Sequence, residues 1–398
     1  MIFLFLISGL FLGWTLGAND ASNVFGSAVG SRMLSFTRAA VIASFFVIIG
    51  AVAQGTGASE TLGRLGSVNA IGGAFTVALG AGLAVFLMTR AALPVSTTQA
   101  IVGAIIGWNF FTGNAIDTRS LTQILATWVS GPILGAAFAF ALYHFVKGIR
   151  KKIKIHLIRY ESYLRTGLII VGAFGAYSLG ANNIANVMGV FVPSVPLGTT
   201  NFGLFSLTGA QQLFFLGGIA IAAGILTYSK RVMMTIGNNL LELSPEAALV
   251  VVLVQALVLF IFSSSALSSF VARIGLPPIP LVPVSSTQVV VGAVLGIGLY
   301  KGVRNINLKL VGSIASGWIT TPVTAGLITF FLLFFVKNLF GVEIGHATNP
   351  VKNTGTGMDF SVIIKYIIIG MLIVTSVYLV YLLRAEKKKT DRLNSKYY

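Results

Sequence analysis

The sequence has no cysteine, few histidines and few charged side chains. Of its 398 residues, three are His and 9% are Asp, Glu, Lys or Arg. The absence of cysteine excludes disulfides, thiol nucleophiles and thiolate metal sites. The histidines are predicted at helix ends or in loops, which leaves no buried histidine proton relay. A chain with so little charge has more apolar surface than a soluble domain of this length buries.

The apolar content is sufficient for a multi-spanning membrane protein. Hydrophobic residues make up 56% of the 398 positions, and at about 20 residues per crossing they supply about eleven crossings. Nine apolar segments have spanning length: 1–30, 37–56, 70–90, 121–146, 166–195, 207–228, 246–271, 308–336 and 361–384. Shorter apolar runs follow Pro94 and Pro283. The predicted fold class is an all-α integral membrane protein of about 11 to 12 transmembrane helices.

The net charge of +17 comes from basic residues between the apolar runs. Zinc-type spacing and an aromatic-interleaved basic stripe are both missing, so nucleic acid is not an expected partner. Residues 147–165 carry seven Lys or Arg and residues 384–398 carry six, which predicts that both are cytoplasmic. Both are cytoplasmic if each half crosses five times, starting outside, and a final helix returns the C-terminus.

Three sequence echoes indicate two related halves. GANDASNV (17–24) recurs as GANNIANV (180–187), and PVSTTQAIVGA (94–104) recurs as PVSSTQVVVGA (283–293). Trp128 and Pro132 recur as Trp318 and Pro322 with the same spacing. An odd number of crossings per half makes the repeats inverted, with broken or half helices and the solute sites at their interface.

The predicted domains follow this repeat. They are a first transmembrane repeat at 1–146, a basic cytoplasmic linker at 147–165, a second repeat at 166–336, an extracytoplasmic loop at 337–360, and a final helix with a basic tail at 361–398.

The first motif combines an acid with amides in the middle of an apolar run. Helix propensity is weak there, so a break would expose carbonyl oxygens. Such carbonyls and the side-chain oxygens would form the oxygen shell that a hard cation such as sodium prefers. The alternative is that these small polar residues serve helix packing; an ionisable group within a span favours a functional role. The candidate cation-binding residues are Asn19, Asp20, Asn23, Asn182, Asn183 and Asn186.

The second motif predicts an anion site. Pro94 and Pro283 suit a first helical turn, and the hydroxyl-rich residues after them would lie at helix N-termini, where free N–H groups attract anions. No Lys or Arg lies near the centre of a proposed span, so helix ends and co-bound cations would neutralise a tetrahedral oxyanion. The alternative is hydroxyl bonding back to the same helix. The candidate phosphate-binding residues are Ser96, Thr97, Thr98, Gln99, Ser285, Ser286, Thr287 and Gln288.

With these duplicated motifs the chain resembles the inorganic phosphate transporter (PiT) family of sodium- or proton-coupled symporters, over most of its length. The resemblance implies substrate and ion sites at the two motif pairs, and it implies that Glu60, in Ser59 to Thr61, is a candidate coupling acid. The chain departs from the family at Asn183, where relatives often have Asp. It also departs at Gln99 and Gln288, where many have His, which argues against proton coupling.

The predicted function is sodium-coupled symport of inorganic phosphate by alternating access in a prokaryotic inner or plasma membrane. Phosphate, sodium ions and the lipid bilayer are the expected partners, a homodimer is an expectation for this class, and no cofactor is expected beyond the co-transported sodium. A proton-coupled phosphate permease or a sulfate permease of the same fold is the alternative. An ion channel is a different class, but the chain has no duplicated carboxylate ring. An intramembrane enzyme would need a histidine or metal cluster in a span.

Overall fold

The computed structural model describes residues 2–66, 68–90, 95–152, 156–195, 197–201, 203, 206–230, 232–234, 244–302 and 308–345. The expected final helix and tail at 361–398, and most of the expected loop at 337–360, lie outside the described residues. The described chain is helical apart from one short hairpin.

The first half of the chain forms six helices in the described residues. They are α1 (Ile2–Gly30), α2 (Phe36–Gln54), α3 (Thr56–Gly66), α4 (Ile71–Arg90), α5 (Thr97–Thr112) and α6 (Thr118–Lys152). Side chains cap several of them. The carboxylate of Asp117 accepts hydrogen bonds from the backbone N–H groups of Arg119 and Ser120 at the start of α6. The hydroxyl of Ser120 also donates to it and holds the pKa of Asp117 below its ordinary value.

The second half also has six helices among the described residues, together with one hairpin. Its elements are α7 (Leu157–Met188), β1 (Thr200–Asn201), β2 (Ser206–Leu207), α8 (Gly209–Thr227), α9 (Pro245–Ile261), α10 (Ser265–Arg273), α11 (Ser286–Lys301) and α12 (Leu308–Asn338). The strands β1 and β2 pair antiparallel as a hairpin. The helix α8 begins with a capping box, in which Thr208 and Gln211 exchange hydrogen bonds.

The predicted all-helical membrane fold is confirmed in outline. Within the described residues, seven helices are long and apolar enough to cross a membrane. The pair α9 and α10, bent by 68° at its break, gives an eighth candidate. The helix α11 is apolar but has 16 residues. Eight of the nine predicted segments coincide with these elements; the ninth, 361–384, lies outside the described part.

Two local expectations were wrong. The helices α1 and α7 run unbroken through 17–24 and 180–187, because packing against neighbouring helices outweighs the weak local propensity. Pro283 does not lie in a first helical turn: α11 begins at Ser286, behind the cap Ser285. Pro94 lies outside the described residues, and α5 likewise begins at Thr97, behind the cap Ser96.

Each of two close helix contacts has a counterpart in which the first and second halves of the chain trade roles. A Cβ on Gly17 of α1 would lie 1.9 Å from the carbonyl oxygen of Ile221 in α8. The matching glycine of the second half, Gly180 of α7, would place a Cβ 2.0 Å from the carbonyl oxygen of Val47 in α2. The first helix of each half therefore packs tightly against the second helix of the other.

A second pair of contacts follows the same rule. A Cβ on Gly103 of α5 would lie 2.0 Å from the carbonyl oxygen of Pro322 in α12, and one on Gly292 of α11 would lie 2.1 Å from that of Pro132 in α6. The short helix of each half thus packs on the last long helix of the other half, and the two halves are intertwined.

The basic linker predicted at 147–165 is largely helical, since α6 extends to Lys152 and α7 begins at Leu157. The carboxylate of Glu246, at the start of α9, joins these two helix ends. It lies 3.6 Å from Lys147 Nζ and 2.6 Å from an Arg150 guanidinium nitrogen, and it accepts a 2.9 Å hydrogen bond from the hydroxyl of Tyr160.

Candidate functional site

The first motif pair lies on unbroken helices and is buried. Asn19, Asp20 and Asn23 of α1 are at most 5% exposed, although they lie in a helix long and apolar enough to cross a membrane. Their counterparts on α7 are at most 1% exposed: Asn182, Asn183 and Asn186. Burial of so many polar groups at membrane depth is costly unless they are paired or bind a ligand.

The second motif pair forms two helix N-termini. The hydroxyl oxygen of Ser96 accepts the backbone N–H of Gln99 at 3.2 Å, which starts α5. The hydroxyl oxygen of Ser285 accepts the N–H of Gln288 at 3.3 Å, which starts α11. All eight predicted residues of this motif pair are at most 2% exposed.

The two helix N-termini contact each other. The hydroxyl of Thr98 on α5 donates to the carbonyl oxygen of Val284, just before α11, at 3.4 Å. The hydroxyl of Thr287 on α11 donates to the carbonyl oxygen of Val95, just before α5, at 3.1 Å. This exchange brings the positive ends of two helix dipoles together, which is a favourable surrounding for an anion.

The first motif of each half hydrogen bonds to the second motif of the opposite half. Asn23 donates from Nδ2 to the hydroxyl oxygens of Ser286 and Thr287, at 3.1 Å each. The hydroxyl of Ser286 donates to Asp20 Oδ2 at 3.2 Å. The acid of α1 therefore lies directly beside the N-terminus of α11.

The matching bonds occur between α7 and α5. Asn186 donates from Nδ2 to the hydroxyl oxygen of Thr98 at 2.9 Å, and to Asn183 Oδ1 at 3.4 Å. Asn182 holds the chain before α11 with two bonds, to the carbonyl oxygen of Val282 at 3.0 Å and from the N–H of Val284 at 2.7 Å. The four helices α1, α5, α7 and α11 thus share one polar cluster.

Several buried atoms of this cluster have no hydrogen-bond partner among the described residues. Most are acceptors, and one amide nitrogen completes the set: Asn19 Oδ1, Gln99 Oε1, Asn186 Oδ1, Gln288 Oε1 and Asn183 Nδ2. Unsatisfied groups at this density are not tolerated in a helical membrane interior without a ligand or water. The cluster has the chemistry of a binding site for a solute.

The charge balance of the cluster is simple. Asp20 supplies the carboxylate of this cluster. In the described part of the chain the ion pairs are made by Glu60 and Glu246, and Asp20 has no basic partner there. The described residues also hold no group of three His, Cys, Asp or Glu side chains that could bind a metal ion. A cation here would be held by one carboxylate with amide and hydroxyl oxygens, a donor set suited to sodium.

Glu60 is not part of the cluster. Its side chain is 63% exposed and pairs with Arg64 at 3.5 Å on the surface of α3. Its two neighbours are turned inward: the hydroxyl of Ser59 donates to the carbonyl oxygen of Gly55, and that of Thr61 donates to the carbonyl oxygen of Leu281. The structure therefore brings together fourteen of the fifteen predicted site residues and leaves this acid apart.

Comparison with known proteins identifies the family. The profile described as the phosphate transporter family matches residues 16–329, which include both motif pairs. The chain belongs to the phosphate transporter family. Membership confirms the expected resemblance and a multi-pass membrane location, and it agrees with a transporter and not an enzyme.

Relatives in this family come from archaea and bacteria. A candidate phosphate permease of Pyrococcus horikoshii is 26% identical, with 85% of this chain and 98% of the relative covered. Those of Methanocaldococcus jannaschii and Haemophilus influenzae are 28% and 25% identical, covering 82% and 85% of this chain and 95% and 97% of the relatives. The chain thus matches these family members over nearly their whole length.

A solved structure has the same fold. It is titled the sodium-dependent phosphate transporter, and it aligns with a TM-score of 0.68 at 21% identity, over 84% of this chain and 98% of the other. At 21% identity, this similarity shows that the two proteins share a fold.

The motifs did not predict two polar side chains of the transporter. Thr89, near the end of α4, accepts the Nδ2 bond of Asn19 at 2.9 Å. Gln255, within α9, is 0% exposed, and neither atom of its amide has a partner in the described residues. Neither residue belongs to a sequence echo, so only their polarity within an apolar run could have drawn attention to them.

Proposed function

We propose that this chain carries inorganic phosphate across the membrane by sodium-coupled symport with alternating access. The observation that carries the proposal is the meeting of two helix N-termini beside Asp20 and a set of unpartnered buried acceptor atoms. Helix N-termini favour an anion, whereas a carboxylate and amide oxygens favour a cation. One cluster that offers both suits the joint binding of phosphate and sodium.

Phosphate would bind at the N-termini of α5 and α11. There the backbone N–H groups of the first helical turns would donate to the anion. The hydroxyls of Thr98, Ser286 and Thr287 donate within the cluster in this structure, so they would have to rotate to reach the anion. No basic side chain hydrogen bonds to these residues within the described chain, so a bound anion would be neutralised by helix ends and by cations. Binding of the anion would therefore require the cation, which is the physical basis of coupling.

Sodium would bind at the amide and carboxylate oxygens of α1 and α7. The unpartnered Oδ1 atoms of Asn19 and Asn186, together with the carboxylate of Asp20, support this assignment. Because Asn183 occupies the position equivalent to Asp20, the second half contributes no negative charge. We propose Glu60, which is exposed on α3 and pairs with Arg64, as a further coupling acid.

We propose two inverted-topology repeats with five crossings each, followed by a final helix within 361–398. The paired contacts Gly103 with Pro322 and Gly292 with Pro132 support the repeat. Gly107 contacts Gly326 one turn further along both helices, so α5 and α12 run parallel. The proposed topology requires this, because both helices would cross the membrane in the same direction. Exposed apolar side chains on the long helices fit a lipid surround, and a homodimer is the assembly proposed for this class.

Uptake of radiolabelled phosphate into proteoliposomes tests the function. Transport should require an inward sodium gradient at fixed pH and should resist excess unlabelled sulfate. Uptake driven by a proton gradient without sodium would contradict the coupling ion, and strong competition by sulfate would contradict the cargo. Absence of uptake by correctly inserted protein would contradict the proposal as a whole.

A further inference from the structure

The four tryptophans of the chain fall into two classes. The indole N–H of Trp14 donates to Thr227 Oγ1, and that of Trp108 donates to the carbonyl oxygen of Ile344, both at 2.9 Å. The N–H groups of Trp128 and Trp318 are buried and have no acceptor in the described residues. A buried indole N–H ordinarily has a partner, so these two exceptions need an explanation.

The two exceptions are equivalent positions of the repeat. Trp128 precedes Pro132 on α6 by one turn, just as Trp318 precedes Pro322 on α12. Since Pro132 contacts Gly292 and α6 runs parallel to α11, Trp128 lies level with the first turn of α11. A nearby contact agrees, because a Cβ on Gly131 would lie 3.6 Å from both Val284 and Val289.

The same register holds in the other half. Pro322 contacts Gly103 of α5, and a Cβ on Gly317 would lie 3.6 Å from Val95, just before α5. Trp318 is therefore level with the first turn of α5. Each tryptophan with an unpartnered indole N–H therefore lies, by helix register, at the level of one of the two helix N-termini that form the site.

A complementary unpartnered acceptor lies at each of these levels. Gln288, one turn before Gly292, has a buried Oε1 without a partner, and so has Gln99, one turn before Gly103. An indole N–H can only donate, and an amide oxygen can only accept. The indole N–H cannot bind a cation, so it needs an anion or another acceptor. The amide oxygen can bind a proton donor or a cation, and next to an anion that binds the indole, a protonated oxygen of the same anion can satisfy it.

We propose that Trp128 with Gln288, and Trp318 with Gln99, form two further subsites for a protonated oxyanion. In each subsite the indole N–H donates to one oxygen of the anion, and the amide oxygen accepts the proton of a P–OH group. A fully deprotonated oxyanion such as sulfate satisfies the tryptophan and leaves the glutamine unpaired. The pairs therefore favour phosphate over sulfate, an inference that rests on the proposed function.

Titration calorimetry of the full chain in detergent tests the subsites without requiring transport. Trp128→Phe and Trp318→Phe keep an aromatic ring and remove the donor, so each should weaken phosphate binding roughly tenfold. Trp108→Phe is the control, because its N–H bonds to backbone and should leave phosphate affinity unchanged. Thermal unfolding of each variant verifies that it is folded.

Gln99→Met and Gln288→Met test the proton acceptor. They should weaken phosphate binding and leave sulfate binding unchanged, which lowers the preference for phosphate. Unchanged phosphate affinity in the folded Trp128→Phe and Trp318→Phe variants would overturn the subsites while the wild-type chain still binds phosphate. Equal losses for phosphate and sulfate in the glutamine variants would overturn the proton-accepting role. Failure of the wild-type chain to bind phosphate would overturn this inference and the proposed function together.

Discussion

Asn186 on α7 donates a hydrogen bond to the hydroxyl oxygen of Thr98 on α5, at 2.9 Å. The equivalent bond in the other half runs from Asn23 on α1 to Thr287 on α11, at 3.1 Å. Each bond joins a long helix that carries the first motif to the helix N-terminus that the second motif of the opposite half forms. The two bonds hold the site together across the interface of the halves.

Replacement of Thr98 by valine should damage both the site and the fold. The change preserves shape but removes the acceptor of Asn186, which leaves a buried amide group short of a partner. Such a loss costs about 1–3 kcal/mol, and the KM for phosphate should rise. Thermal unfolding and uptake kinetics measure the two effects. Thr122→Val is the control, since among the described residues its exposed hydroxyl bonds to the carbonyl oxygen of Thr118 alone; equal behaviour of the two variants would refute the assignment.

Asp20→Asn should weaken sodium binding while the protein still folds. The amide oxygen can keep the bond from Ser286, but the negative charge is lost. Unit charges 4 Å apart at an effective dielectric of about 20 interact by about 4 kcal/mol, so the sodium concentration for half-maximal uptake should rise at least tenfold. Asp117→Asn, a change at an exposed helix cap, is the control. A variant with wild-type sodium dependence would move the cation site elsewhere.

The sequence predicted polar residues that the structure brings together, but not how they connect. The echoes of GANDASNV and PVSTTQ identified the residues because duplicated polar groups in an apolar chain have few explanations other than function. The bond between Asn19 and Thr89 has no such signal, since it depends on the packing of α1 against α4. Pairing across 70 or more residues is a property of the tertiary structure.

The sequence likewise predicted the long helices of the fold but not its short elements or close contacts. Hydropathy gave the long helices because their apolar lengths match a bilayer, whereas the amphipathic α3 has little apolar length to detect. The expected break within GANDASNV did not occur because tight contacts such as that between Gly17 and Ile221 hold α1 helical. The glycines that weaken local propensity are the same ones that allow this close packing.

Gly103→Ala should destabilise the protein and lower its folded yield. A Cβ at this position would lie 2.0 Å from the carbonyl oxygen of Pro322, so α5 must move away from α12, at a cost of about 1–3 kcal/mol or more. The control is Gly148→Ala on α6, where a Cβ meets nothing within 4 Å and better helix propensity should add about 0.5–1 kcal/mol. Thermal unfolding in detergent should move in opposite directions for the two variants; a shift of the same sign would contradict the packing argument.

Gln255→Leu should stabilise the chain. Both amide atoms of Gln255 are buried without partners in the described residues, and an unsatisfied group of this kind costs about 1–3 kcal/mol, which the apolar side chain removes. Gln211→Leu is the opposite case, because its amide bonds to Thr208 and to the carbonyl oxygen of Val52. The first variant should unfold at higher temperature and the second at lower. A loss of phosphate uptake in a stable Gln255→Leu variant would instead mean that this amide binds a ligand.

Glu246 should couple energetically to Arg150, because their 2.6 Å contact joins the start of α9 to the end of α6. The Glu246 side chain is 6% exposed, so Glu246→Gln leaves a cation with a weaker partner and should cost about 1.5–3 kcal/mol. Arg150→Gln should cost less in the Glu246→Gln background than in the wild type. A double-mutant cycle by thermal unfolding should give a coupling energy of about 0.5–3 kcal/mol.

Lys151→Gln provides the control for this cycle. Lys151 is exposed on the same turn of α6 as Arg150, so its loss should add independently to that of Glu246, within about 0.5 kcal/mol. If Arg150 and Lys151 behave alike, the contact is a surface effect of net charge. If only Arg150 couples, the ion pair ties the last helix of the first half to a helix of the second. Any rocking of the halves must then preserve or break this bond, and the coupling energy limits what breaking it costs.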